Sequence, residues 1–325
     1  MCSPFRIKNM NPSLSQIVSL ALKEDVITND ITSLAIFDGK KTGRGVFLAK
    51  QDLILSGINM VREVFHQVSP SLRLETSAKD GDFIKKGKVF GKVRGKVTDI
   101  LRAERVALNF LQQLSGVATL TFRFVETIKP YRARILDTRK TVPGLRMLQK
   151  QAVAHGGGQN HRLNLSDMYL IKDNHIAACG GIGAAIDKAK AHRTKFNSRT
   201  AALRGRLHPA LPVEEGSMSR CQWQIKASGE HTRAPMIEAE AKNIKEVREA
   251  LKHGVDILLL DNMGLAQIRK AVSLARAQQA APLLEISGGV NLHNVRKYAA
   301  TGVSRISVGA LTHSAPSVDI SFEVM

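Results

Sequence analysis

The residues best suited to chemistry fall into short clusters. Asp137-Thr138-Arg139-Lys140, His161-Arg162 and Lys172-Asp173-Asn174-His175 supply cations. Glu238 and Glu240 stand two apart, and Asp261-Asn262 follows them. Ser287-Gly288-Gly289 and Gly309-Ala310-Leu311-Thr312-His313 supply glycine-bearing turns. Main-chain N–H groups in such turns cradle a phosphate, because glycine lets the backbone approach closely. Arginine suits a planar carboxylate through two-point hydrogen bonding. Carboxylates would weaken a plain anion site, but they fit beside a Mg²⁺ that bridges them, often through water, to a diphosphate. Taken singly, each cluster has a bland explanation. A Lys or Arg after a strand is ordinarily a solvated rim charge, Ser-Gly-Gly is ordinarily a turn, and Glu238 and Glu240 could be paired structural carboxylates. Their convergence predicts more: a Mg²⁺-dependent enzyme acting on a phosphorylated sugar and a carboxylated co-substrate.

The elements that must position these groups are legible from hydrophobic pattern. In parallel α/β architectures ligands bind beyond the carboxyl ends of the strands. Six short apolar runs end in polar or glycine-rich turns: Ala133–Asp137, Met168–Lys172, Met236–Glu240, Asp256–Asp261, Leu283–Ser287 and Arg305–Gly309. Five helical patterns fall between them: Leu145–Val153, Ile182–Ala191, one marked by Ile244, Val247 and Leu251, then Leu265–Ala277 and Leu292–Ala300. Gly156, Gly254 and Gly302 follow three of these patterns as C-cap signals. Strands alternating with helices predict parallel βαβ units. Eight repeats would make a full barrel, and six predict an incomplete one. On the third run Glu238 and Glu240 share a face, so parity alone does not separate them. Upstream, Ser13–Leu22 and Ile100–Leu114 read as helices and Gly45–Ala49 and Lys88–Val93 as strands, with Gly81, Gly87, Gly91 and Gly95 marking turns.

Composition narrows the class. At 325 residues and 43% apolar content the chain is long enough for two domains or one large α/β unit. Cys2, Cys179 and Cys221 lack paired spacing, which excludes a disulfide scaffold or zinc ribbon and points to a reducing compartment. No apolar run approaches the ~20 residues of a membrane helix, and the N-terminus lacks a signal-like apolar stretch, so a cytoplasmic protein is expected. The formal net charge is +20, which favours capture of polyanions without saying which. No nucleic-acid reading module or alternation of basic and aromatic residues accompanies it, so no specific nucleic-acid partner is expected. Residues 193–233 stand apart: they have no sustained period, two prolines, the only tryptophan (Trp223), and eight Lys/Arg against three Glu. This stretch is expected to be a surface insertion.

Longer motifs then carry a resemblance. Ala103-Glu104-Arg105-Val106-Ala107-Leu108-Asn109-Phe110-Leu111 and Leu114-Ser115-Gly116-Val117-Ala118-Thr119 resemble the quinolinate phosphoribosyltransferase family, also called nicotinate-nucleotide pyrophosphorylase (carboxylating). So do Asp137 to Arg146, Gly156-Gly157-Gly158-Gln159-Asn160-His161-Arg162 and Leu170-Ile171-Lys172-Asp173-Asn174-His175. Leu259-Leu260-Asp261-Asn262, Ser287-Gly288-Gly289 and Val308 to Ser314 continue in order, and Glu24-Asp25 and Asp30-Ile31-Thr32 fit near the start. Ordered motifs of this length are far more specific than a lone glycine fingerprint.

The resemblance implies an α/β sandwich domain over residues 1–117, joined by 315–325, and an open six-stranded parallel α/β barrel over 118–314 interrupted by the basic tract. It implies a homodimer in which one subunit's N-terminal domain covers the other's barrel mouth, with Arg105 acting across the interface. The implied reaction joins quinolinate to 5-phosphoribosyl-1-diphosphate in NAD biosynthesis, releasing diphosphate and CO₂ and yielding nicotinate mononucleotide. The implied quinolinate contacts are Arg105, Arg139, His161, Arg162 and Lys172. Lys140, Ser287, Gly288, Gly309 and His313 would meet the phosphoribosyl diphosphate, with Glu240 and Asp261 on the Mg²⁺ side. Arg105, Lys140, Lys172, Glu240 and Asp261 make up the expected catalytic set. One departure is Ile237-Glu238-Ala239-Glu240-Ala241, where the family usually has valines between and after the acids. A molybdenum-uptake relative of the same fold is disfavoured by Arg139, Arg162 and Lys172, which suit a dicarboxylate.

Overall fold

A computed structural model describes residues 13–25, 29–204 and 234–325. The chain divides into two compact units, residues 1–163 with 287–325, and residues 164–286.

The first unit holds a four-stranded antiparallel sheet in the order Ile320–Val324, Thr42–Ala49, Val89–Lys96, Arg73–Thr76. Phe47 is its packing centre. Its ring lies 4.8 Å from Phe322 and about as far from Phe65 and Phe90 as aromatic pairs normally reach, 6.2 and 6.1 Å. The C-terminal strand is stitched in by its register, Gly45↔Val324 to Ala49↔Ile320, and by Gln112, whose amide donates to the Ile320 carbonyl at 2.8 Å.

The helix expected over Ile100–Leu114 runs from Val97 to Ile128, 32 residues. Gly116 does not end it, because the glycine serves contact there. A Cβ at Gly116 would lie 2.2 Å from the Pro316 carbonyl oxygen. Ile58–Val68 is a further helix, with Ile58, Val61, Val64 and Phe65 buried on one face. That 3–4 spacing was present in the sequence and unread. Asp30 caps the short helix Ile31–Ile36 by accepting the Thr32 and Ser33 N–H groups at 3.1 and 3.0 Å.

The six apolar runs form one six-stranded sheet in the order Arg134–Leu136, Arg305–Ser307, Leu283–Ser287, Ile257–Asp261, Ile237–Ala241, Tyr169–Ile171. Pairing is parallel between Arg134–Leu136 and Arg305–Ser307, and within the second unit from Tyr169–Ile171 through Ile257–Asp261. The first two strands in chain order stand at opposite ends of the order, so the sheet is open. Ile237–Ala241 is buried at all five positions, as a strand covered on both faces must be.

In the second unit the helix expected to stop near Ala191 continues to Arg204. Residues 193–204 of the basic tract are therefore helical. Nothing in 192–204 breaks a helix, and Gly205 is the first residue that would. Arg193 is tied down as well: its guanidinium meets Asp256 Oδ2 at 2.5 Å, and the same oxygen accepts the Ile237 N–H at 2.7 Å. The remainder of the tract, 205–233, lies outside the described residues.

Candidate active site

In the first unit, Asp137 ends the strand Arg134–Leu136 fully buried. Its Oδ1 accepts from Lys150 Nζ at 2.5 Å and from the His161 N–H at 2.8 Å. Lys150, itself only 4% exposed, also donates to the His161 carbonyl at 2.9 Å. Burial pushes the Asp137 carboxyl up, and the Lys150 ammonium opposes that shift. His161 Nδ1 accepts the Arg162 N–H at 2.7 Å, so a neutral imidazole carries its proton on Nε2. Arg139 is half-buried, and its Nε is enclosed without a hydrogen-bond partner among the described residues. A buried N–H left in that state is an invitation to a ligand.

The loop holding Arg139 and Lys140 is fixed by groups that sequence reasoning missed. Arg146 donates to Thr141 Oγ1 and to the Arg139 and Leu163 carbonyls at 3.0, 3.4 and 3.2 Å. Gln149 accepts the Val142 N–H at 2.9 Å and donates to the Thr312 carbonyl at 2.8 Å. The Thr312 hydroxyl donates to the Lys140 carbonyl at 2.7 Å. Lys140, Gly309 and His313 are thereby brought together. A Cβ at Gly309 would lie 3.1 Å from His313 Nε2 and 3.2 Å from Lys140 Cδ. Gly288 and Gly289, after Ser287, hold φ of 95° and 61°, where a side chain would be strained.

Arg105 lies on the long helix of this unit with its side chain 59% exposed. Among the described residues it forms an ion pair with the adjacent Glu104, at 3.9 Å, and with none of the other expected site residues.

In the second unit the strand ends gather a compact charged group. Lys172 Nζ meets Glu240 Oε2 at 2.7 Å, with the Glu240 side chain 6% exposed and that of Lys172 48%. The sequence reading placed Lys172 with quinolinate and Glu240 on the Mg²⁺ side, both in the catalytic set, and here the two side chains touch. Lys242, also unread, pairs with Asp173 at 3.1 Å. The hydrogen bond from Lys242 holds the Asp173 carboxyl below its usual range. The same bond raises the Lys242 ammonium, with Glu240 and Asp261 adding to the shift. Asp261 is half-buried, and Oδ2 accepts from Asn262 Nδ2 at 2.9 Å. Asn262 itself sits at φ 52°, the one non-glycine at positive φ among the described residues. Asparagine tolerates that region, and strained backbone of this kind gathers at functional sites. Glu238, on the same strand face as Glu240, is fully buried.

Comparison with known proteins identifies the family. The family model for the quinolinate phosphoribosyl transferase N-terminal domain matches residues 30–115, and that for its C-terminal domain matches 117–199 and 216–323. The unmatched tract is thus 200–215, narrower than the 193–233 expected from composition. Quinolinate phosphoribosyltransferase (decarboxylating) 1b of Nicotiana tabacum is 37% identical over 318 residues, 96% of this chain and 82% of that protein. The probable nicotinate-nucleotide pyrophosphorylase (carboxylating) of Bacillus subtilis is 35% identical over 311 residues, 96% of this chain and 93% of that one. Among solved structures, the nicotinate-nucleotide pyrophosphorylase from Francisella tularensis superposes with a TM-score of 0.81 at 34% identity, covering 98% of each chain.

Proposed function

The chain belongs to the quinolinate phosphoribosyltransferase family, and on that premise we propose that it converts quinolinate and 5-phosphoribosyl-1-diphosphate to nicotinate mononucleotide, diphosphate and CO₂ in NAD biosynthesis. The pyridine nitrogen lone pair forms the bond to the anomeric carbon as the bond to diphosphate breaks. The ring nitrogen is then cationic, so the electron pair left at the neighbouring carbon when CO₂ departs is stabilised until that carbon takes a proton. Such a reaction asks the protein for positioning and preorganised charge more than for a covalent nucleophile.

The observation that carries this reading is the state of Arg139. Within a family-matched loop it holds an enclosed N–H without a hydrogen-bond partner among the described residues, which suits a ligand carboxylate. Arg139, His161, Arg162 and Lys172 take the quinolinate carboxylates in this reading. Lys140, Ser287, Gly288, Gly309 and His313 take the phosphoribosyl diphosphate. Arg105, exposed and paired with Glu104, serves a partner subunit's site in a homodimer. The domain over 1–117 with 315–325, and the barrel domain over 118–314, are part of the same reading.

The carboxylates fit a Mg²⁺. Glu240 commits one oxygen to Lys172 and Asp261 one oxygen to Asn262. Each keeps a second hard oxygen, and a Mg²⁺ that retains several waters needs only one or two protein carboxylates. Bound there, the ion would neutralise diphosphate charge. Among the described residues no helix is long and apolar enough to cross a membrane. Three cysteines lacking paired spacing favour a reducing compartment such as the cytoplasm.

The test is direct. Purified protein with quinolinate, phosphoribosyl diphosphate and Mg²⁺ is expected to release CO₂ and form nicotinate mononucleotide, and chelation with EDTA is expected to stop it. Product from nicotinate, with none from quinolinate, would refute the assignment.

A further inference from the structure

Gln149 and Lys150 are consecutive on the helix Arg146–His155, and both are buried, at 1% and 4% exposure. Long polar side chains are rarely enclosed unless fully engaged. Successive helical residues diverge by about 100°, so these two reach different loops. Lys150 donates to Asp137 Oδ1 at 2.5 Å and to the His161 carbonyl at 2.9 Å, while Asp137 Oδ1 takes the His161 N–H at 2.8 Å. The His161 main chain is therefore gripped at both its N–H and its carbonyl. Asp137 stands two residues before Arg139, and His161 one before Arg162. Gln149 joins Val142 to Thr312, and Thr312 returns to the Lys140 carbonyl. Lys140 is a member of that ring and His313 follows Thr312 in sequence, and Lys140, Gly309 and His313 meet.

We propose that Lys150 and Gln149 are positioning residues with divided duties. Lys150, through Asp137 and His161, sets the quinolinate-binding cations. Gln149, through Val142 and Thr312, sets the phosphoribosyl diphosphate group of Lys140, Gly309 and His313. The inference rests on the substrate reading above. Displacing a contact group by about an ångström can cost on the order of a hundredfold, so each loss should fall on one substrate.

The experiment uses full-length protein and steady-state kinetics, each substrate varied at saturation of the other. Lys150→Met is expected to raise KM for quinolinate on the order of tenfold to a hundredfold, with KM for phosphoribosyl diphosphate little changed. Gln149→Leu is expected to do the reverse. A residue that merely stabilised the fold would move both constants together, or only the melting temperature. Both constants rising in step, or neither moving, overturns the proposal. Lys150→Met leaves Asp137 buried without its cation and could unfold the protein. The double variant Asp137→Asn/Lys150→Met removes both charges and keeps an acceptor for the His161 N–H, yet the His161 carbonyl still loses its donor. It should fold and retain the raised quinolinate KM, and wild-type values in it overturn the Lys150 half. Gln149→Leu involves no charge and decides its half alone. Wild-type protein inert toward quinolinate would strike the substrate reading, whereas active wild type with unsplit variants strikes only this inference.

Discussion

Gly309→Ala separates folding from function at one atom. Gly309 has φ −63° and ψ −34°, ordinary right-handed geometry that any residue adopts. Alanine there restricts the unfolded chain and stabilises by about 0.4–1 kcal/mol. The added methyl would lie 3.1 Å from His313 Nε2 and 3.2 Å from Lys140 Cδ. Both atoms belong to the far ends of side chains that give by a few tenths of an ångström, so stability should stay within about 1 kcal/mol of wild type. The site fares differently. That methyl fills the gap between Lys140 and His313 where, on the proposed reading, a phosphate would meet the backbone. Losing one charge-assisted hydrogen bond costs ~1.5–3 kcal/mol, or roughly 10- to 150-fold in kcat/KM for phosphoribosyl diphosphate. The assay pairs initial rates over a phosphoribosyl diphosphate series with a thermal melt. An unchanged melt with kcat/KM within about threefold of wild type would refute the phosphate assignment at Gly309.

Other perturbations test other parts of the molecule. Lys172→Met removes the ammonium from the nearly enclosed Glu240 and a carboxylate contact besides. The expected cost is ~2–5 kcal/mol, at least about 30-fold in quinolinate kcat/KM, with circular dichroism unchanged, and wild-type kinetics would remove Lys172 from the site. Gly116→Ala should destabilise by ~1–3 kcal/mol despite the better helix former, because the new methyl meets the Pro316 carbonyl at 2.2 Å and backbone gives little; an unchanged urea midpoint would contradict that packing. Burial holds the His155 imidazole below its ordinary 6.5, with Asp80 opposing. The unfolded chain therefore takes up this proton first on acidification. The stability due to neutral His155 is complete above about pH 6.5 and is lost as pH falls through the lower folded value. Urea midpoints across that range should fall less steeply in His155→Gln than in wild type, and parallel slopes would refute the cause.

The fold was legible where local pattern and tertiary demand agree. Leu283–Ser287 has the bounds its apolar run suggests, and the other five strands differ by a residue or two at their ends. Pattern says less where glycine serves contact. The helix expected over Ile100–Leu114 runs on through Gly116, which packs against Pro316. Gly156 reads as a C-cap glycine and does cap Arg146–His155; at φ −78° it serves contact as well, since a Cβ there would lie 2.3 Å from the Ala118 carbonyl. The helix beyond Ala191 was missed because its polar residues show no apolar period, although none of them breaks a helix.

The site divides in the same way, and the division has a physical cause. Arg139, Lys172, Asp261 and Gly309 could be picked out as candidates because groups suited to a ligand cluster at strand ends, where order along the chain is enough. The groups that hold them could not. Gln149 bonds to Thr312 across 163 positions, and Lys172 to Glu240 across 68. On a helical wheel Gln149 and Lys150 look like a solvated face. A buried lysine is recognised only by its partners, and both Asp137 and the His161 carbonyl come from outside its helix. Candidate ligand-binding residues thus announce themselves by type and place, while residues that would position them are defined by contacts that exist only in the folded chain. For Lys150 the contact that matters is with a main-chain carbonyl, so no choice of side chain at position 161 would have revealed it.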